Sequence, residues 1–423
     1  MIKSGFLLLS LLVFLDSIPL SAQQFVANYD EAKVPAYTLP DPLVFNDGGK
    51  VKDKKDWDRR RTEILKMFKN EVYGISPVWK GDIIPTELSS NLNALNGAAV
   101  RKEIKLTLKN GSKEISMVML LYLPKSSKPV PVFLGYNFSG NHSVTEETDI
   151  SMTNSWMRND SASGIAHNKA SEAGRGKAVS SWQIREIISR GYGLATIYYG
   201  DVDPDFDDGF KNGVHGLYDQ QPDSTSWGTI AAWAWGLSRA MDYIVTVSSI
   251  DSKRVIVMGH SRLGKTALWA GATDNRFALI ISNNSGCGGA ALSKRVFGET
   301  VGSINASFPY WFCKNFNKYN EKEALLPVDQ HELLSLIAPR LLYVASAQDD
   351  LWADPKGEFL SCVGASPVYV LLGEKGFPAS VMPPVNSPVF GSIGYHIRSG
   401  GHGVTLYDWQ QYLDFADLHL NRK

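Results

Sequence analysis

Polar and apolar positions change rhythm several times along this chain. From Asp56 to Tyr73 apolar residues recur at helical spacing, which predicts an amphipathic helix ending near Gly74. Its run Arg59-Arg60-Arg61 reads as a solvated helix face. Val100–Leu108 and Glu114–Leu123 alternate with a period of two on either side of Asn110-Gly111, a hairpin pattern. Val130–Tyr136 is apolar throughout, as expected of a strand buried on both faces, and pairing should begin at Val132 because Pro131 has no N–H. Beyond it, helical and buried-strand patterns alternate. The expected helices are Trp182–Arg190, Trp227–Val245, a stretch near Lys356–Cys362, and Leu406–Leu420. The expected strands are Leu194–Tyr199, Val255–Met258, Phe277–Ser282, Leu341–Ala345 and Val368–Leu372. Such alternation predicts a doubly wound, mostly parallel α/β sheet.

Three stretches carry neither rhythm. Residues 25–50 read as an extended arm over the domain. Residues 140–180 are rich in Gly, Ser and Asn and read as an insertion walling a cleft. Asp201–Asp208 alternates aspartates but lacks the glycine and terminal glutamate of a calcium loop, so a solvated, cap-rich loop is expected. No repeat, linker or second domain is visible.

Composition narrows the classes. The 43 basic and 43 acidic residues cancel, so nothing draws the chain to nucleic acid or to an anionic membrane. The 11 Trp and 17 Tyr suit a carbohydrate site, although core packing accounts for most such residues. Residues 1–22 have a cationic start, the apolar run Phe6–Leu15 and a small-residue exit, the pattern of a secretory signal peptide cleaved after Ala22. The mature chain, 23–423, is then an exported single domain, taken here as a monomer. Of the three cysteines, Cys287 and Cys313 are the pair to test for a disulfide; three buried thiols are the alternative.

Candidate chemistry centres on Val255–Lys265. An apolar run breaks at Gly259-His260-Ser261-Arg262-Leu263-Gly264 and passes into good helix formers, which is strand, sharp turn, helix with a serine at the apex. That is the context of the nucleophile elbow of α/β-hydrolases, G-x-S-x-G, with the second glycine displaced by one residue. In that fold class the triad runs nucleophile, acid, histidine, and the loop after the third strand, here Gly135–Gly140, helps hold an oxyanion. His402, between glycines and just before the last helix, fits the base, with His396 as rival. Asp349 and Asp350 follow the strand Leu341–Ala345, and one of them faces the imidazole. Ser261 would attack, His402 would move the proton and the carboxylate would fix the imidazole tautomer. No metal or organic cofactor is implied.

Several segments together resemble the glucuronoyl esterases of carbohydrate esterase family fifteen, in their bacterial branch: 259–265, 284–289, 308–313, 350–358 and Gly400-Gly401-His402. The family elbow G-[CH]-S-R-x-G-K accounts for the displaced glycine. The resemblance implies hydrolysis of esters joining 4-O-methyl-glucuronic acid of xylan to lignin alcohols. It gives Ser261 as nucleophile, His402 as base, Asp350 as acid and Arg262 as oxyanion stabiliser. Lys265 and Glu299 match residues that bind sugar hydroxyls, and Trp352 one that packs on the glucuronoyl ring. Asn284 stands where the fungal branch places its acid. His260 replaces a fungal cysteine, so the disulfide implied there is absent. An acetylxylan or feruloyl esterase is the neighbouring enzymatic reading. A non-catalytic carbohydrate-binding module on a hydrolase scaffold is the contrasting one.

Overall fold

The computed structural model describes residues 25–219 and 222–420; the expected signal peptide lies outside them. Ten strands form one sheet: β1 (Asp82–Ala94), β2 (Ala99–Asn110), β3 (Lys113–Pro124), β4 (Val130–Asn137), β5 (Gly193–Tyr198), β6 (Ile250–His260), β7 (Leu279–Asn283), β8 (Leu341–Ala347), β9 (Val389–Phe390) and β10 (Ile393–Arg398). Their spatial order is β1-β2-β3-β5-β4-β6-β7-β8-β10-β9. β1, β2, β3 and β5 pair antiparallel, β5 through β10 run parallel, and β9 closes the far edge antiparallel. The doubly wound, mostly parallel α/β arrangement is therefore the one observed.

Helices cover both faces, as the wholly buried strands β4, β5 and β7 require. One face packs Lys54–Phe68, Thr229–Ile244, Arg262–Thr273 and Pro355–Leu371; the other packs Ile184–Ser189 and Leu406–Leu420. No helix among the described residues is long and apolar enough to cross a membrane.

Several expectations are corrected. Val368–Leu372 is not a strand; all but its last residue forms the end of the helix Pro355–Leu371, with Val368 and Tyr369 buried and Val370 60% exposed. One-sided burial satisfies that β-branched run in a helix. The true last strands come later. The outer strand β1 was not foreseen either, because its residues are mostly exposed and polar. Arg59 faces solvent, but Arg60 and Arg61 do not. Arg60 is buried on Glu332 at 2.9 Å, and Arg61 donates to the carbonyls of Leu336 (3.1 Å) and Ala272 (2.7 Å). The run thus pins the first long helix to the helix Gln330–Ser335. All three cysteines are free and buried, so no Cys287–Cys313 bond forms. Cys313 instead lies 3.7 Å from the Asn70 carbonyl.

Candidate active site

β6 delivers the elbow. At Ser261 the backbone turns to φ 58°, ψ −129°, strained for a residue with a side chain and typical of functional turns. Its N–H is held by the Asn283 carbonyl at 2.9 Å. Gly259 is required there, since a Cβ would lie 1.9 Å from the Leu263 carbonyl oxygen. The helix Arg262–Thr273 starts immediately after the serine, so its first-turn N–H groups and positive dipole end lie beside it.

A cavity of about 320 Å³ opens at the carboxyl ends of β6, β7 and β8, the usual ligand position in open α/β sheets. Its lining brings together Ser261, Arg262, Lys265, Asn284, Glu299, Trp311, Asp350, Trp352 and His402. Ser261, Arg262, Lys265, Glu299, Asp350, Trp352 and His402, the side chains expected from the sequence, are all among them, whereas no residue of the expected oxyanion loop 135–140 is. His402 Nδ1 lies 2.6 Å from Asp350 Oδ2, and the same oxygen accepts from Asn284 Nδ2 at 2.7 Å. Burial pushes the Asp350 carboxyl up, but the hydrogen bond and charge of His402, then Asn284, outweigh it and hold it below the usual carboxylate range. Asp350 is thus the ionised partner of the imidazole. Asp349 is exposed, and its N–H donates to the Gly400 carbonyl at 3.0 Å. The rival His396 is buried between Tyr343 Oη and Asp408, each at 2.9 Å.

The acidic segment is the main correction. Asp203 and Asp205 are 3% and 2% exposed, and both point inward. Asp203 pairs with His215 Nδ1 at 2.9 Å. Asp205 accepts from Tyr199 Oη (3.0 Å), Tyr310 Oη and Trp311 Nε1 (both 2.9 Å), and from Arg262 Nη1. Arg262 also lies over the Trp311 ring, 4.7 Å from its centroid. Burial pulls the guanidinium down, but Asp205 outweighs it, so Arg262 stays a cation beside Ser261. No residue of 140–180 lines the cavity. That insertion sits one layer back, with Thr153 and Ser155 on Asp201 at 2.7 Å and Trp156 against Phe206.

On the other side of Ser261, Lys265 Nζ donates to the Ser285 carbonyl at 2.6 Å and lies 3.2 Å from Glu299 Oε2. Trp311 stacks on Phe308 with centroids 3.7 Å apart, and Trp352 is 40% exposed at the rim. The turn after β7 rests on Glu358, which accepts from Ser285 N (2.7 Å), Gly286 N (3.1 Å) and the hydroxyls of Ser285 (3.2 Å) and Ser346 (2.6 Å). Asp205, Trp311 and Glu358 were not assigned roles from sequence. Their partners lie far along the chain, and only the quoted segments 308–313 and 350–358 pointed to two of them. Among the described residues no group of three or more His, Cys, Asp or Glu side chains could hold a metal ion.

Comparison with known proteins agrees with this geometry. A family model described as "Glucuronyl esterase, fungi" matches residues 178–373. A carbohydrate esterase from an unknown prokaryotic organism is 53% identical over 93% of this chain and 92% of its own length. The chain belongs to carbohydrate esterase family fifteen. The solved structure of a promiscuous esterase of this family from a marine bacterial metagenome aligns with TM-score 0.88 and 53% identity, over 93% of this chain and all (100%) of the other. A glucuronoyl esterase from Solibacter usitatus aligns with TM-score 0.85 and 47% identity, covering 91% and 99%. A 4-O-methyl-glucuronoyl methylesterase from Schizophyllum commune is 28% identical over 79% of this chain and 74% of its own. The fold is that of the α/β-hydrolases, and the chain is a carboxylic ester hydrolase.

Proposed function

We propose that this family-fifteen esterase hydrolyses the ester between (4-O-methyl-)glucuronic acid of glucuronoxylan and lignin-type alcohols, acting outside the cytoplasm as a monomer after removal of residues 1–22. The observation that carries the substrate class is the buried Lys265–Glu299 pair, with Trp352 at the rim, in one cavity with Ser261 and His402. Polar groups fixed in the same cavity as a nucleophile suit sugar hydroxyls and leave an acetyl or feruloyl group without partners. In the reaction Ser261 Oγ attacks the ester carbonyl while His402 Nε2 takes its proton. Asp350 holds the imidazole and stabilises the imidazolium. Arg262 and the first-turn amides balance the charge developing on the carbonyl oxygen. His402 then protonates the departing alcohol, and water releases the glucuronate from the acyl-enzyme by the reverse sequence. Relatives named 4-O-methyl-glucuronoyl methylesterase support the acyl group chosen.

The test is turnover of benzyl glucuronate beside p-nitrophenyl acetate and methyl ferulate, for wild type and Ser261→Ala. Serine-dependent preference for the glucuronate ester is expected. Preference for acetate or ferulate would keep the hydrolase and remove the glucuronoyl reading. Binding of glucuronoxylan without any turnover would favour a carbohydrate-binding module.

A further inference from the structure

The loop carrying His402, residues 399–405, holds three glycines that flank the histidine, and none of them packs a side chain that could fix its backbone. A Cβ at Gly401 would meet nothing within 4 Å, and one at Gly403 would meet only Arg398, at 4.0 Å. A glycine-rich loop loses more freedom on ordering than any other, so beyond the Asp350 contact to the ring a further group must hold its backbone. That group is Arg398, the last residue of β10 and itself 4% exposed. Its guanidinium donates to the carbonyls of Ser399 (2.9 Å), Gly401 (2.9 Å) and Gly403 (2.7 Å), bracketing His402 on both sides. Its Nε donates to Asp408 Oδ2 at 2.8 Å.

Asp408 is fully buried, and four residues converge on it. Besides Arg398, it accepts from His396 Nε2 (2.9 Å), Thr405 N and Oγ1 (both 2.7 Å) and Asn283 Nδ2 (3.1 Å). Because Nδ2 of Asn283 faces the acceptor-only Asp408 carboxylate, and also donates to Tyr412 Oη at 2.8 Å, its side-chain Oδ1 is the atom facing His260 Nδ1 at 2.7 Å. That bond places the proton of His260 on Nδ1 and fixes the ring, whose centroid lies 4.4 Å from that of His402. Burial, with the neighbouring His402, pushes the His260 imidazole down to about 3, so it stays neutral beside the base.

We propose that Arg398, fixed by Asp408, is a positioning residue for His402 that clamps its glycine loop, and that His260, fixed by Asn283, braces the His402 ring. Neither residue touches the reacting atoms in this account; both act through the base. The inference rests on His402 being the general base, as set out above.

The test measures kcat and KM on benzyl glucuronate for wild type, Arg398→Lys, Arg398→Ala, His260→Ala and His402→Ala, with folding checked by circular dichroism and melting. Arg398→Lys keeps a positive charge for Asp408 but loses the planar fork that reaches three carbonyls. Displacement of a catalytic group by about 1 Å costs on the order of 100-fold. Arg398→Lys should therefore lower kcat by about 10–100-fold while KM stays within about threefold. Added guanidinium should restore part of the kcat of Arg398→Ala, which a loss of general stability would not allow. His260→Ala, at a partly exposed position, carries the test if Arg398→Ala does not fold, and about a tenfold loss of kcat is expected. Folded Arg398→Lys and His260→Ala enzymes turning over within twofold of wild type would overturn the proposal. An active His402→Ala enzyme would instead remove the base assignment, and the clamp's role with it.

Discussion

Asp205→Asn isolates the support of Arg262, the arginine proposed to face the oxyanion. Oδ1 of Asp205 accepts from Tyr310 Oη and Trp311 Nε1, and Oδ2 from Tyr199 Oη and Arg262 Nη1. An asparagine must turn its NH2 toward one of these two pairs. Each pair holds a tyrosine hydroxyl, which can rotate to accept, and an N–H, which cannot. Either flip therefore leaves Trp311 Nε1 or Arg262 Nη1 facing another donor at a position only 2% exposed. One unsatisfied buried donor costs about 1–3 kcal/mol, so the melting temperature should drop by a few degrees. Arg262 also loses its only carboxylate partner among the described residues. Removal of a whole oxyanion donor costs on the order of 10²–10³ in kcat. A loosened one should cost less, so kcat on benzyl glucuronate should fall about 10–100-fold. The assay compares wild type, Asp205→Asn, Arg262→Met and the double variant. If Asp205 acts through Arg262, the double variant should be no slower than Arg262→Met alone. A folded Asp205→Asn enzyme within twofold of wild-type kcat, or a double variant showing the product of both losses, would refute this account.

Asp350→Asn should lower kcat by about 10⁴, as loss of a triad carboxylate does in other serine hydrolases, whereas Asp349→Ala should leave kcat within a few-fold; the reverse ranking in steady-state assays would reassign the acid. Lys265→Met should cost about 10–100-fold in kcat/KM on benzyl glucuronate, the worth of a hydrogen bond to a charged group, and leave p-nitrophenyl acetate turnover nearly unchanged; equal losses on both esters would disconnect Lys265 from the sugar. Burial pushes the Glu358 carboxyl up to about 8, because its four donors include no cation. Its folded value lies above the unfolded one, so its contribution to stability is complete below the unfolded value of about 4.5 and is lost as pH rises through 8. Glu358→Gln keeps an oxygen on Ser285 and Gly286 and turns its NH2 to the Ser346 hydroxyl, mimicking the protonated acid. Melting curves between about pH 5 and 9 should show wild type losing stability relative to Glu358→Gln as pH rises; parallel curves would show that the carboxyl is ionised throughout.

What was legible in the sequence divides along a physical line. The elbow could be read because its requirement is local: only glycine fits at 259, and the apolar run must end where the serine turns. The last helix, Leu406–Leu420, and the carboxylates that follow β8 can be read from apolar patterning in the same way. β10 could not be read, because its buried positions include His396 and Arg398, polar residues that hide a strand pattern until Asp408 is seen to pair with both. The aspartates at 203 and 205 look solvated on paper for the same reason. Their partners, His215, Tyr310, Trp311 and Arg262, lie between 12 and 106 residues away. Arg60 and Glu332 are 272 residues apart. Burying a charge is favourable only with its partner in place, and no window of sequence contains both. Apolar periodicity therefore reveals the sheet and the residues at its strand ends. The polar residues that hold those ends in register are revealed only once the fold has brought distant charges together, and here they include the residues that support Arg262 and the loop of His402.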